Sequence, residues 1–268
     1  MSVQNFIPTV WSRHIMDDLE KETILVDHCH RRYEGDVKQA GSVKILGVGE
    51  PTIGDYNKSD IDIEAMSDTS QELVINQAKY FSFYVDDVDE AQSVPGLPEE
   101  YRRKAVHKLA VARDACVADL IKVCKNVTEV TELTAEAMVD GVDDAIVALR
   151  NRDFNEDGVI ELSPKAYSLF KKHLIQISTD NPDYIKKGYV GMYDGFRVFM
   201  STNMATESGY TYCCVRGEKA IAFAGQLTKV TAQPAEKRFA DIVKGLDVFG
   251  AKTIDEKRIQ VIKVPLTA

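Results

Sequence analysis

Apolar residues recur along this chain with two different periods, and the changes from one to the other mark its elements. Trp11, Ile15 and Leu19 stand at helical intervals within PTVWSRHIMDDLEKETILVDHC, which predicts an amphipathic arm helix whose apolar face needs a partner. From 33 to 92 the period shortens. Gly35, Gly41, Gly47, Gly49, Pro51 and Gly54 interrupt short β-type runs such as SVKIL, and QELVINQAKYFSFYV alternates as one long strand. This stretch therefore predicts an extended two-stranded hairpin. A hairpin that long, polar near its tip, cannot bury enough surface alone. It must lie against something else, and a neighbouring subunit is the expected cover.

At Pro98 the pattern turns helical, with Pro in the first turn, Glu99 and Glu100 suited to the helix dipole, and Leu109, Cys116, Leu120 and Val123 as the inward face. The helix could run for about 25 residues. Thr134 is placed to cap a second helix with Met138, Val142, Ala145 and Leu149 as its inner stripe. VIEL, residues 159–162, predicts a short strand, after which Ser163 caps and Pro164 begins a helix over PKAYSLFKKHL. GYVGMYDGFRVFMS reads as strand, turn and strand, with Gly188, Gly191 and Gly195 permitting tight reversals. Strands at TYCCVRG and KAIAFAGQ, a short helix over Glu236 to Val243, and closing strands at LDVFGAKTI and IQVIKV complete an α+β chain without repeats.

Composition narrows the classes. A chain of 268 residues can bury a real core as one large domain or two modest ones. Its five cysteines are odd in number and scattered, with Cys213 and Cys214 adjacent, so no disulfide framework or zinc spacing emerges and a reducing cytoplasm is the simplest home. No apolar run approaches a membrane span, and MSVQNFIPTV lacks the blocks of a signal peptide, so a soluble protein is expected. A net charge of −9 with dispersed Lys and Arg argues against a surface that grips nucleic acid. Acidity still suits a wall beside which a polyanion must pack without sticking.

Candidate chemistry is sparse. DFNEDGVIELSP, Asp153 to Pro164, places Asp153, Asn155, Asp157 and Gly158 as a calcium loop would, but Pro164 stands where the bidentate carboxylate belongs. A solvated turn is the plainer reading. His28, Cys29 and His30 are adjacent and would point different ways, and no second ligand pair stands at a useful spacing. VDDVDE lacks a matching His or Lys, and GVGEPTIG lacks the Lys-Ser or Lys-Thr of a phosphate loop. No nucleophile elbow or redox CxxC appears. No catalytic, cofactor-binding or metal residue is therefore assigned, no cofactor is expected, and the weight moves from enzymes to structural proteins.

The order of segments then carries a resemblance. An arm helix, a glycine-bent hairpin ending in NQAKYFSFYVDDVDEAQS, a long helix, then LSPKAY, GYVGMYDGFRVFMSTN and VKGLDVFGAKTI resemble the tailed-phage major capsid proteins of the Hong Kong ninety-seven fold over nearly the whole chain. The resemblance implies an N-arm at 1–33, an E-loop with its strand base at 34–92, a peripheral domain with the spine helix at 93–125, a mixed-sheet axial domain at 126–225, and a return to the peripheral domain with closing strands at 226–268. It implies a non-enzymatic subunit that assembles with itself as pentamers and hexamers into an icosahedral shell in the host cytoplasm. The virion shell would enclose double-stranded DNA without sequence-specific binding or any membrane. Portal and decoration proteins are implied partners. Because FIPTVWS begins almost at Met1, either a separate scaffolding protein assists assembly or the chain is a mature form. Phe6, Trp11 and Ile15 in the arm and Tyr80, Phe81 and Phe83 in the long strand are the expected assembly contacts. Encapsulin shells, which enclose cargo protein, are the alternative, and a calcium-regulated binding protein is a third.

Overall fold

The computed structural model describes residues 23–32, 41–48, 68–86, 97–173, 189–234 and 240–267. The expected arm contacts Phe6, Trp11 and Ile15 and the hairpin tip at 49–67 lie outside these residues. In chain order the elements are β1 (Ser42–Val48), β2 (Asp68–Val74), β3 (Gln77–Asp86), α1 (Leu97–Val123), β4 (Val127–Glu129), α2 (Ala135–Arg150), β5 (Gly158–Leu162), α3 (Pro164–His173), β6 (Tyr189–Tyr193), β7 (Phe196–Met200), β8 (Thr206–Glu207), β9 (Tyr210–Gly217), β10 (Ile221–Pro234), β11 (Ala240–Thr253) and β12 (Ile259–Pro265). They form a two-stranded sheet β1-β2, a three-stranded sheet β10-β11-β3, and a seven-stranded mixed sheet β4-β12-β9-β5-β7-β6 with β8 beside β9.

Alternation along the strands of the large sheet decides which helices each residue meets. Ile160, Leu162, Val198, Cys213, Val215, Ile262 and Val264 turn to one side, where Met138, Val142 and Leu149 of α2 and Phe170 of α3 cover them. Cys214, Ile259 and Val261 turn to the other, against Val117 and Ile121 of α1 and against Leu25 and Val26. The adjacent Cys213 and Cys214 thus belong to different cores, and all five cysteines are free.

The local signals for α2 and α3 act as their chemistry requires. Thr134 Oγ1 accepts from the Ala137 amide at 3.2 Å, and Met138, Val142, Ala145 and Leu149 are fully buried. Ser163 Oγ accepts from the Ala166 amide at 3.3 Å ahead of Pro164. Between β6 and β7, Asp194 and Gly195 have φ of 48° and 83°, the paired positive values of a tight hairpin turn. In α1 the expected face is partly displaced: Leu109 is buried, but Cys116 and Leu120 are half-buried and Val123 is 74% exposed. The inward face runs instead through Val106, Ala110, Arg113, Asp114, Val117 and Ile121. Two polar residues, Arg113 and Asp114, stand in its middle, which hides it from an apolar count.

Two further expectations are corrected. The helix expected over Glu236 to Val243 does not form at its described end, because Ala240–Val243 begins β11, paired with Asp86–Phe83 of β3. Strand pairing on both sides outweighs local helix propensity there. The single long strand QELVINQAKYFSFYV is broken at Ile75 and Asn76, so that β2 pairs with β1 while β3 pairs with β11. Nor does the base of the hairpin wait for a neighbour. Val43, Ile45 and Leu73 are buried against Ala222 and Ala224 of β10 in their own chain.

A candidate assembly surface

The sheet β10-β11-β3 has two unlike faces. In β11, Val243, Gly245, Asp247 and Phe249 are buried, while Lys244 and Leu246 between them are exposed. The buried row faces α1. Arg113 of α1 donates to Asp247 through Nε at 2.9 Å and through a terminal nitrogen at 2.5 Å, both side chains buried. Phe83 stacks on Tyr101 of α1 with ring centroids 5.9 Å apart, and the Phe81 ring fills the space that a side chain at Gly245 would need. Phe81 and Phe83 stack on each other at 6.2 Å, and both are half-buried.

On the other face β1 and β2 cover the end at Ala222, Ala224 and Gly250, and among the described residues no element covers the end at Tyr80, Lys244 and Leu246. Tyr80 is 80% exposed, Tyr84 62% and Leu246 37%. The register places Tyr80 opposite Leu246, and Ser82 opposite Lys244. Residues Tyr80, Phe81, Ser82, Thr231, Lys244, Gly245 and Leu246 line an open groove of about 320 Å³. Large apolar side chains gathered on one open sheet face mark an interaction surface. Of the expected strand contacts the structure puts Tyr80 on this face, while Phe81 and Phe83 pack towards α1. Tyr84 and Leu246 join Tyr80 there. The period-2 alternation of KYFSFY already separates Tyr80 and Tyr84 from Phe81 and Phe83, whereas Leu246 is reached only through strand pairing.

A second constellation anchors the chain just beyond the arm. Asp114 of α1 accepts from the amides of Ile24, Leu25 and Val26 at 3.1–3.2 Å and from Asn203 Nδ2 at 3.0 Å. Arg216 donates to the carbonyls of Leu25 at 2.7 Å and His28 at 3.1 Å, and grips Glu161 with two bonds at 2.8 and 2.9 Å. His28 Nδ1 lies 2.7 Å from Glu161 Oε1, and Cys214 Sγ donates to Oε2 at 3.1 Å. Burial pushes the Glu161 carboxyl up, but the Arg216 guanidinium and the hydrogen bond with His28 outweigh it and hold the pKa at about 2. Burial raises the Asp114 carboxyl, against the pull of Asn203 and the backbone amides. These groups are saturated with protein partners.

The two motifs singled out for metals have other uses. Asp153 begins its turn with φ of 59°, Phe154 is buried and stacks on Phe196 at 6.0 Å, and Glu156 pairs with Arg258 at 2.8 Å and Lys219 at 3.5 Å. His28 turns to Glu161, Cys29 Sγ donates to the Leu25 carbonyl, and the His30 backbone bonds to Ile221 and Phe223. Among the described residues no group of three or more His, Cys, Asp or Glu is arranged to hold a metal ion.

No protein-family model matches the chain, and no curated protein matches it. Solved structures do. A chain from Mycobacterium phage Che8 is 25% identical and superposes with a TM-score of 0.72 over 90% of each chain. The mature capsid of bacteriophage PhiM1 matches at 17% identity and a TM-score of 0.62, over 85% of this chain and 83% of that one. A virus-like particle from Pyrococcus furiosus matches at 12% identity and a TM-score of 0.60, over 95% of this chain and 98% of that one. The chain shares the fold of phage capsid subunits, the α+β architecture of the Hong Kong ninety-seven kind.

Proposed function

We propose that this chain is a major capsid protein, a non-enzymatic subunit that associates with copies of itself into the icosahedral head shell of a phage around double-stranded DNA. The observation that carries the proposal is the likeness to phage structures over nearly the whole chain, with a TM-score up to 0.72. The sheet face at Tyr80, Tyr84 and Leu246, open among the described residues, supports it, since a subunit in a shell needs apolar surface to offer its neighbours. On this proposal the sheet packed on α1 belongs to the peripheral part and the large sheet with α2 and α3 to the axial part, completed by β12. The arm and hairpin tip reach neighbours, and scaffolding, portal and decoration proteins complete the particle. A shell around protein cargo is the second reading, favoured by the Pyrococcus furiosus particle. Negative-stain imaging of the purified chain, followed by nuclease treatment and analysis of the contents, tests both. Closed icosahedra able to hold nucleic acid are expected. Small uniform shells filled with protein would favour the second reading, and a dispersed monomer at high concentration would reject both.

A further inference from the structure

The outer face of α1 departs from the dispersed charge that the sequence implies. Between 101 and 112 the helix carries Arg102, Arg103, Lys104, His107 and Lys108 and no acidic residue, in a chain of net charge −9. Arg103, Lys104, His107 and Lys108 are all exposed, while Val106, Leu109 and Ala110 between them are buried. Positions 104 and 108 lie one turn apart and away from the core, with 103 and 107 beside them. Helix stability gives no reason for cations so early, because the macrodipole favours acidic side chains near the N-terminus, a role that Glu99 and Glu100 already fill.

We propose that this face of α1 contacts the phosphate backbone of nucleic acid, without reading sequence. The proposal deepens the capsid reading and rests on it for the anion at hand. Among the described residues the patch offers cations, while the apolar Val106, Leu109 and Ala110 are buried beneath them. Tyr101 at its edge is stacked on Phe83. That chemistry suits a backbone held by charge alone better than a protein partner, whose docking needs a buried apolar centre. The acidic remainder of the chain repels a polyanion and so orients it towards α1. The patch and the groove at Tyr80 lie on opposite sides of the same helix-on-sheet layer, so both can be engaged at once.

Fluorescence anisotropy of a labelled duplex DNA of about 20 base pairs, titrated with the full chain between roughly 50 and 200 mM KCl, tests the proposal. Three phosphate contacts give a slope of log affinity against log salt near −3, a loss of roughly forty-fold across that range. The triple variant Arg103→Glu, Lys104→Glu, Lys108→Glu should flatten the slope. Lys165→Glu, Lys171→Glu, Lys172→Glu on α3 makes the same charge change at exposed positions and should leave the slope in place. Lys104→Gln with Lys108→Gln, a milder change, should reduce its magnitude by about 2. Equal losses in both triple variants, or no salt-dependent binding by the parent chain, would overturn the proposal. Polyglutamate that displaces the duplex at equal charge would overturn it in favour of an acidic protein partner. Particle imaging of the same samples keeps the two proposals apart. Particles without salt-dependent binding reject only the patch, and patch-dependent binding without particles rejects only the capsid.

Discussion

Glu161 is the residue that an apolar pattern passes over, since VIEL predicts a strand without assigning a face to its charged member. It is fully buried with Arg216. The reason is that β5 is covered on both faces, and the face opposite Ile160 and Leu162 meets the segment after the arm. Removing one partner of such a pair leaves the other charged and dry, which costs about 3–5 kcal/mol. Glu161→Gln should lower stability by that order in urea melts, with Arg216→Lys also damaging because an ammonium cannot reproduce the two-pronged grip. The pH dependence follows from the depressed pKa. Glu161 titrates at about 2 in the folded chain against 4.5 ordinarily, so its contribution is complete above pH 4.5 and is lost as pH falls from there towards 2. Stability measured down that range should fall less steeply in Glu161→Gln than in the parent chain, and identical slopes would contradict the assignment.

Elements whose signals are local were legible in the sequence, and those set by distant pairing were not. α2 could be read from Thr134 and an uninterrupted apolar stripe, and the β6-β7 turn from Gly195. The inner face of α1 could not, because Arg113 and Asp114 are buried by partners more than 80 residues away in sequence, Asp247 and the amides of 24–26. The break between β2 and β3 was equally hidden. Gly250 of β11 marks it, because a side chain there would meet the backbone of Val74 and Ile75, with the Ile75 Cα only 2.9 Å away. The same breakdown divides the hairpin into a base that belongs to its own chain and a tip beyond Val48 and Asp68, which form the last described pair. Replacing 49–67 by Asn-Gly, a turn suited to joining paired strands, should therefore leave the melting transition cooperative and within about 1 kcal/mol of the parent. It should abolish closed shells in micrographs. Deleting 39–70 is the harsher change, because it also removes Val43 and Ile45 and uncovers Leu73, Ala222 and Ala224. If the short-turn variant still closes shells, the tip has no part in assembly.

At the scale of the molecule, one helix-on-sheet layer presents aromatic surface on one side and cations on the other, and the two-core large sheet holds that layer to the rest. Tyr80→Lys with Leu246→Asp places an opposite-charge cross-strand pair on the open face without touching a core. Its melt should stay within about 0.5 kcal/mol of the parent, as surface changes usually do, while sedimentation shows subunits in place of shells. Shells formed as readily as before would remove this face from the assembly surface. The position of β12 has a consequence in time. It runs between β9 and β4, and β4 pairs with no other described strand. Until residue 265 has left the ribosome the large sheet therefore ends at β9, and β4 has no described strand to pair with. At roughly 5–20 residues per second, β4 waits roughly 7–28 s after it is made for β12 to follow. Before β12 is made the chain lacks a finished body to offer its neighbours, so translation of that strand sets the earliest moment at which a subunit becomes competent to build.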